Sequence, residues 1–303
     1  MLDDKIKPIT TPIIKIFDKN NNTIYLKDET KQFTGAFKYR GVYNKFKEAN
    51  LSKYNGVITA STGNHALAVS LLARKIGIKC YVVIPNNTPK IKKEKIRSNS
   101  AIIFDDSKLK NYDMCVKIAK QKAQKYNLLY IPSFDDIDII NGHKTMFEEL
   151  PFQKIDYCFC PVGGGGLVSA AILSKKLINT KIIGVELEGF SAMKASLKYG
   201  TKTKIKIENE INSFCEGILV SEVGNVNFNI AYNHNLEINT VSKENIKSAI
   251  GALNKIGIKS EGAGAASYAA YLNSNISNST ILCIISGGNI DDELYTQIVG
   301  SEL

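Results

Sequence analysis

Short apolar runs alternate with amphipathic stretches along most of this chain. GVITA (Gly56 to Ala60) is one such run; it leads through STGN into a helical pattern from His65 to Ile76 that stops at Gly77. CYVVIP, AIIF and LLYIPSF repeat the run, with helical stretches at Pro89 to Arg97 and Asn111 to Tyr126 between them. After a helix from Ile139 to Leu150 the alternation resumes. DYCFCPV predicts a strand, Leu167 to Leu177 a helix, KIIGVE and NLEINTV strands, Ser242 to Ile256 a helix with Ser242 as N-cap, GAGAASYAAYL a helix and TILCIIS a strand. Upstream, Thr23 to Lys27 predicts a short strand, Thr30 to Gly35 a polar loop, and Phe37 to Phe46 an amphipathic helix. Thr201 to Asn212 is polar and breaks the pattern.

Strands apolar throughout and separated by helices predict an α/β fold with parallel-type sheets covered by helices on both faces. The breaks in the pattern divide it into two lobes. Residues 46–134 form the small domain, inserted between residues 1–45 and 135–303 of the large one. No repeat of solenoid period is present.

Composition narrows the class. The chain has 303 residues, 44% hydrophobic and 22% charged, enough for a large core and consistent with a globular enzyme. MLDDKIKPIT lacks the apolar core of a signal peptide, and no apolar run nears the ~20 residues of a membrane span, so a cytoplasmic location without a membrane partner is expected. The net charge of +10 and the segment KIKKEKIR (Lys90 to Arg97) invite a nucleic-acid reading. Lysine is spread along the chain with no aromatic-interleaved basic motif, so no nucleic-acid partner is expected and a solvated helix face accounts for the charge. Six cysteines fall mostly in apolar runs, as buried thiols do, with no metal-ligand spacing.

Four stretches carry candidate chemistry. In TGAFKYRG, Lys38 lies between Phe37 and Tyr39 with Arg40 close by, a setting that favours a neutral, nucleophilic amine and suits a Schiff-base lysine; the alternative is an ordinary surface lysine. Gly163, Gly164, Gly165 and Gly166 sit between an apolar strand and a helix, where bare backbone lets N–H groups converge on a phosphate. A flexible turn, or a dinucleotide loop with Glu186 as its ribose acid, remain alternatives. STGNH, at another strand-to-helix junction, offers a second anion site, although His65 alone also reads as a structural histidine. Ser286 in ISGGN follows the most apolar strand and is expected at its carboxyl end, facing the cleft; a simple turn is the alternative.

Taken together, TGAFKYRG, STGNHA, PVGGGGL and ISGGN, in this order and spacing, resemble the pyridoxal-phosphate enzymes of the tryptophan-synthase-β fold type, fold-type II. The match is nearest to the serine/threonine dehydratase and serine racemase branch. It runs from TPIIKI (Thr11 to Ile16) to ISGGNID (Ile285 to Asp291). The resemblance implies pyridoxal 5'-phosphate as cofactor and a homodimer as assembly. It implies that Lys38 binds the cofactor, with Phe37 beside it, Asn64 on its phenolic oxygen, Gly163 to Gly166 and Leu167 around its phosphate, Ser286 on its pyridine nitrogen, and Glu261 lining the pocket. Ser61, Thr62, Asn64 and His65 would take the substrate carboxylate. The implied activity is a lyase reaction: serine/threonine dehydratase, an ammonia-lyase turning L-threonine or L-serine into a 2-oxo acid and ammonia. Serine racemase or a threonine synthase-like enzyme are the alternatives. Thr62 matters for the first, because racemisation needs an acid on the face opposite Lys38.

Some positions depart from the family pattern. Leu67 stands where relatives often have a nucleotide-contacting Gln, and NGHKT (Asn141 to Thr145) replaces AGQGT. The racemase cation site uses an acid resembling Glu186 and another about six residues later; here that place falls near Ala192, so no metal is expected. With no residues beyond 303 for a regulatory domain, the short catabolic type is expected.

Overall fold

A computed structural model describes residues 3–151, 154–206 and 214–300. Among the described residues the strands are β1 (Ile13–Phe17), β2 (Thr23–Asp28), β3 (Val57–Ala60), β4 (Cys80–Val83), β5 (Ile102–Phe104), β6 (Leu129–Tyr130), β7 (Tyr157–Pro161), β8 (Lys181–Leu187), β9 (Glu237–Val241) and β10 (Thr280–Ile285). They form a six-stranded sheet in the order β1-β2-β10-β7-β8-β9 and a four-stranded sheet in the order β5-β4-β3-β6. Every pairing is parallel except β1 with β2, which run antiparallel at one edge.

The apolar runs have a direct cause. In β10, Ile281, Cys283 and Ile285 pack into the core on one face of the large sheet, while Leu282 and Ile284 pack into the core on the other. A strand buried on both faces shows no polar alternation. In the smaller sheet Val57 and Val82 face one core and Ile58, Ala60 and Val83 the other. The covering helices are α1 (Lys38–Glu48), α2 (Asn64–Ile76), α3 (Lys90–Arg97), α4 (Tyr112–Tyr126), α5 (Ile137–Glu148), α6 (Gly166–Ile172), α7 (Ala192–Tyr199), α8 (Asn225–Asn233), α9 (Lys243–Lys255), α10 (Gly262–Leu272) and α11 (Asp292–Gly300). Their ends follow the sequence signals. Gly77 closes α2 at φ +73°, and Ser242 caps α9 in a capping box with Asn245.

The structure also revises the sequence reading. The large sheet is mixed, because IIKIF forms an antiparallel edge strand that pattern reading passed over. LLYIPSF pairs only at Leu129 and Tyr130, and Ile131 to Phe134 continue as a loop. The helix expected to reach Leu177 ends at Ile172, followed by a short 3-10 turn at Lys175–Leu177. Helices α7, α8 and α11 were not anticipated. Of the polar stretch Thr201 to Asn212, residues 207–212 lie outside the described residues. All six cysteines are buried and none forms a disulfide. Among the described residues no helix is long and apolar enough to cross a membrane.

Two features fix α1. A Cβ on Gly41 would lie 2.4 Å from His143 Cε1, and one on Gly142 2.4 Å from Arg40 O, so α1 and α5 meet through bare backbone. A buried charge network then sets the register. Arg40 donates to Glu29 (2.7 Å) and Glu149 (2.6 Å), and Lys27 pairs with Glu149.

Candidate active site

Four strand ends and one helix start converge. β3 ends at Ala60 and passes through Ser61, Thr62 and Gly63 into α2; β7 ends at Pro161 and passes into the glycine loop; β10 ends at Ile285 and passes into Ser286 and Gly287; β6 leads on to Ser133 and Phe134. Carboxyl ends of parallel strands are where α/β sheets bind ligands. Lys38 opens α1 against them. The Phe37 N–H donates to Ser286 O (3.0 Å), and Ala36 forms a β-bridge with Gly287.

Lys38 Nζ donates to Ser133 O at 2.7 Å and lies 5.1 Å from the centre of the Phe37 ring. Part of the side chain is accessible, yet its end lies deep enough that burial pushes the amine down to about 8. Arg40 plays no part in this. Its guanidinium is turned onto Glu29 and Glu149, which corrects the expectation that its charge lowers the Lys38 pKa. The Phe37 ring also packs on His143, centroids 4.6 Å apart.

The glycine loop is bare for reasons of space as well as ligand access. A Cβ on Gly163 would lie 2.9 Å from Gly217 O, and one on Gly164 2.3 Å from the Phe134 ring. Gly165 has φ +95°, and its Cβ would lie 2.7 Å from Asn227 Cβ. Gly164 O is held by Gly224 N and Asn227 Nδ2. The N–H groups of Gly163, Gly164 and Gly165 meet no acceptor among the described residues, so the loop is held by its carbonyl side with donors to spare. Leu167 follows in the first turn of α6, 4% exposed.

At the start of α2, Ser61 Oγ accepts the Gly63 N–H at 3.3 Å. The Asn64 amide donates to Glu261 Oε1 and accepts from Asn289 Nδ2, both at 2.7 Å. Burial raises the Glu261 carboxyl to about 7. The His65 ring is turned inward, with Nε2 3.2 Å from Ile131 O, and burial followed by the charge of Lys38 holds its pKa down at about 3. That ring is neutral, and only the backbone of His65 is left to face an anion. Ser286 Oγ donates weakly to Ala263 O at 3.4 Å. Glu186 stands apart from this group: its carboxylate accepts Met193 N (2.8 Å) and Lys194 N (2.9 Å), capping α7. Among the described residues no cluster of three His, Cys, Asp or Glu side chains could hold a metal.

Sequence reasoning assigned no role to Ser133, Phe134 or Asn289. The first two lie at the end of LLYIPSF, where the apolar signal hides a loop, and Asn289 closes the ISGGN motif without a periodic signature.

A family model for pyridoxal-phosphate dependent enzymes matches residues 7–287. The chain belongs to this family. It is 34% identical over 291 residues to the L-threonine ammonia-lyase of Thermotoga maritima, covering 92% of this chain and 70% of that one. It is 33% identical over 289 residues to the catabolic L-threonine dehydratase of Escherichia coli K12, covering 91% and 86%. The processed form of threonine deaminase isoform 2 from Solanum lycopersicum superposes with a TM-score of 0.87 at 32% identity, over 97% of this chain and 84% of that one. Serine racemase from Dictyostelium discoideum does so with 0.81 at 29%, over 94% of each. These matches bear out the α/β fold, the pyridoxal-phosphate cofactor and the enzyme class read from the sequence. The residues fit the group: spare N–H donors for a phosphate, an amine lowered to about 8, and a hydroxyl and an amide at the surrounding strand ends.

Proposed function

We propose that this enzyme eliminates the β-hydroxyl of L-threonine or L-serine, releasing an enamine that hydrolyses to a 2-oxo acid and ammonia. The observation that carries the reading is Lys38, an amine lowered to about 8 at the meeting point of four strand ends. Relatives named for threonine dehydration, at 33–34% identity over nine-tenths of the chain, support the substrate class.

When bound, the cofactor supplies an electron sink for the charge left at Cα once its proton is removed. Lys38 Nζ would hold the cofactor and, once the substrate amine has taken its place, would be free as the amine that accepts the Cα proton; the Ser133 carbonyl orients it. The spare N–H groups of Gly163, Gly164 and Gly165, with Gly166 and Leu167 at the start of α6 behind them, would hold the phosphate. Ser286 Oγ would hold the pyridine nitrogen, Asn64 would hold the phenolic oxygen, Phe37 would pack beside the ring, and Glu261 would line the pocket. Ser61, Thr62, Asn64 and the backbone N–H of His65 take the substrate carboxylate at the start of α2. The Thr62 hydroxyl is assigned to the side opposite Lys38.

In this reading the four-stranded sheet belongs to a small domain at 46–134 and the six-stranded sheet to a large one at 1–45 and 135–303, a division supported by the two separate strand orders, with the reaction in the cleft between them. A homodimer in the cytoplasm completes the reading. Serine racemisation is the second reading; it is favoured by the hydroxyl of Thr62 and by the Dictyostelium discoideum neighbour.

The test has two parts. Borohydride treatment of the cofactor-loaded protein, followed by peptide mapping, should place the reduced label on Lys38, and Lys38→Ala should fold but lose the visible band and turnover. A panel of hydroxy-amino acids should yield 2-oxo acid from L-threonine or L-serine. Label on another lysine, or turnover by Lys38→Ala, sinks the assignment.

A further inference from the structure

Asn64, Glu261 and Asn289 are joined in a row by hydrogen bonds. Asn64 Nδ2 donates to Glu261 Oε1 (2.7 Å), and Asn289 Nδ2 donates to Asn64 Oδ1 (2.7 Å). The other Asn289 Nδ2 hydrogen goes to Thr34 O (2.7 Å). The three residues come from separate elements: the start of α2, the residue before α10, and the loop after β10. Two glycines clear the space. A Cβ on Gly35, at φ +70°, would lie 2.7 Å from Asn289 Oδ1; one on Gly287 would lie 2.8 Å from Glu261 Oε1 and 3.2 Å from Asn64 Nδ2.

Donor chemistry fixes the direction of each bond. An ionised carboxylate only accepts, so Asn64 must turn its NH2 toward Glu261. Asn64 Oδ1 then faces Asn289, whose amide must donate. Both Asn289 Nδ2 hydrogens are used, whereas Asn64 Nδ2 keeps one hydrogen without a partner among the described residues. A phenolic oxygen that carries negative charge needs that hydrogen and is repelled by the amide oxygen.

We propose that Asn289 is a positioning residue that, with Glu261, holds the Asn64 amide so that its N–H and not its C=O faces the phenolic oxygen of the cofactor. The inference rests on the reading that Asn64 contacts that oxygen. The row also has a proton dependence. Burial raises the Glu261 carboxyl to about 7, Glu216 pushes it the same way, and the amides of Asn64 and Asn289 and the charge of Lys92 oppose this. Above that pH Glu261 accepts and both neighbours hold the Asn64 amide. Below it the protonated acid can itself donate, and Asn289 alone holds the amide.

The experiment compares wild type, Asn289→Ala, Asn289→Asp, Asn64→Ala and the Asn64→Ala/Asn289→Ala double variant, all loaded with pyridoxal phosphate. It reads the visible band of the bound cofactor against pH, the cofactor dissociation constant, and kcat and KM. Asn289→Ala should shift the band, weaken cofactor binding about tenfold and lower kcat with little change in KM, as loss of one hydrogen bond to a charged acceptor predicts. Asn289→Asp keeps the shape and the backbone N–H but replaces the side-chain donor with an oxygen, so it should lose as much. In the Asn64→Ala background the second substitution should add nothing. Wild-type behaviour of Asn289→Asp, or losses that add in the double variant, overturns the inference while leaving the Asn64 reading intact. An unchanged band and affinity in Asn64→Ala overturns both.

Discussion

The lowered pKa of Lys38 comes from where its end lies and not from its charged neighbour in sequence. Its pKa of about 8 comes from burial, so the amine is half neutral near that pH and increasingly neutral above it. Covalent attachment of pyridoxal phosphate to the cofactor-free protein needs the neutral amine. The attachment rate, followed by absorbance, should therefore climb with pH and reach half its plateau near 8; a midpoint near the ordinary lysine value would show that Lys38 is solvated. In the proposed reaction Thr62 is the residue that would decide between the two activities. Its hydroxyl can return a proton to the face opposite Lys38, but its β-methyl restricts χ1 and adds bulk beside the substrate. Dehydration should dominate, with racemisation minor. Chiral analysis of serine recovered from wild type and Thr62→Ala checks this: D-serine made faster than pyruvate by wild type, and abolished alone by Thr62→Ala, reverses the ranking. Residues of this kind were legible because Lys38, Ser61 to His65 and Ser286 sit in short motifs at strand ends. Asn289 was not, since its partners lie 225 and 255 positions away, at Asn64 and Thr34, and no local pattern encodes them.

The elements were legible where burial is two-sided or a cap is explicit, as in β10, α2 and α9. They were missed where short segments are set by tertiary contact. β1 is an edge strand with mixed burial, and the start of α7 is held by the distant Glu186 carboxylate, which accepts its first N–H groups. The helix that carries Lys38 depends on similar distant partners. Arg40 and Glu29 are fully buried, and Glu149 nearly so, so removing the cation leaves a buried carboxylate unpaired. Such a loss costs about 3–5 kcal/mol, and Arg40→Ala should lower thermal stability by that order and blur the position of Lys38. A chemical-denaturation series reads the first and the visible cofactor band the second; a loss under about 1 kcal/mol would mean the network contributes little. The glycine loop gives a sharper contrast. Gly165→Ala meets both a positive φ and the Asn227 side chain, so it should weaken cofactor binding and stability together in the same titrations.

Between the two sheets the contacts are of another kind. Lys92 of α3 pairs with Glu216, and Asp113 of α4 pairs with Lys204, so two ion pairs join helices of the small sheet to segments of the larger unit. Their side chains are 29–60% exposed, and exposed pairs contribute only about 0–1 kcal/mol each. They cannot hold the fold together. Yet Glu216 stands beside the site: Gly217 O packs against Gly163, and the Glu216 charge reaches Glu261. If the small unit closes over substrate, a pair that biases the closed arrangement raises apparent affinity without touching the reacting atoms, because apparent affinity scales with the competent fraction. Asp113→Asn, which alters no residue assigned to the proposed chemistry, should therefore leave kcat and thermal stability near wild type and raise KM a few-fold at low salt. At about 0.5 M salt, where charges are screened within a few ångströms, wild type and variant should converge. Steady-state kinetics at two ionic strengths checks this. A KM difference that persists at high salt, or a drop in kcat at constant KM, would show that the pair is not an electrostatic latch between the two units.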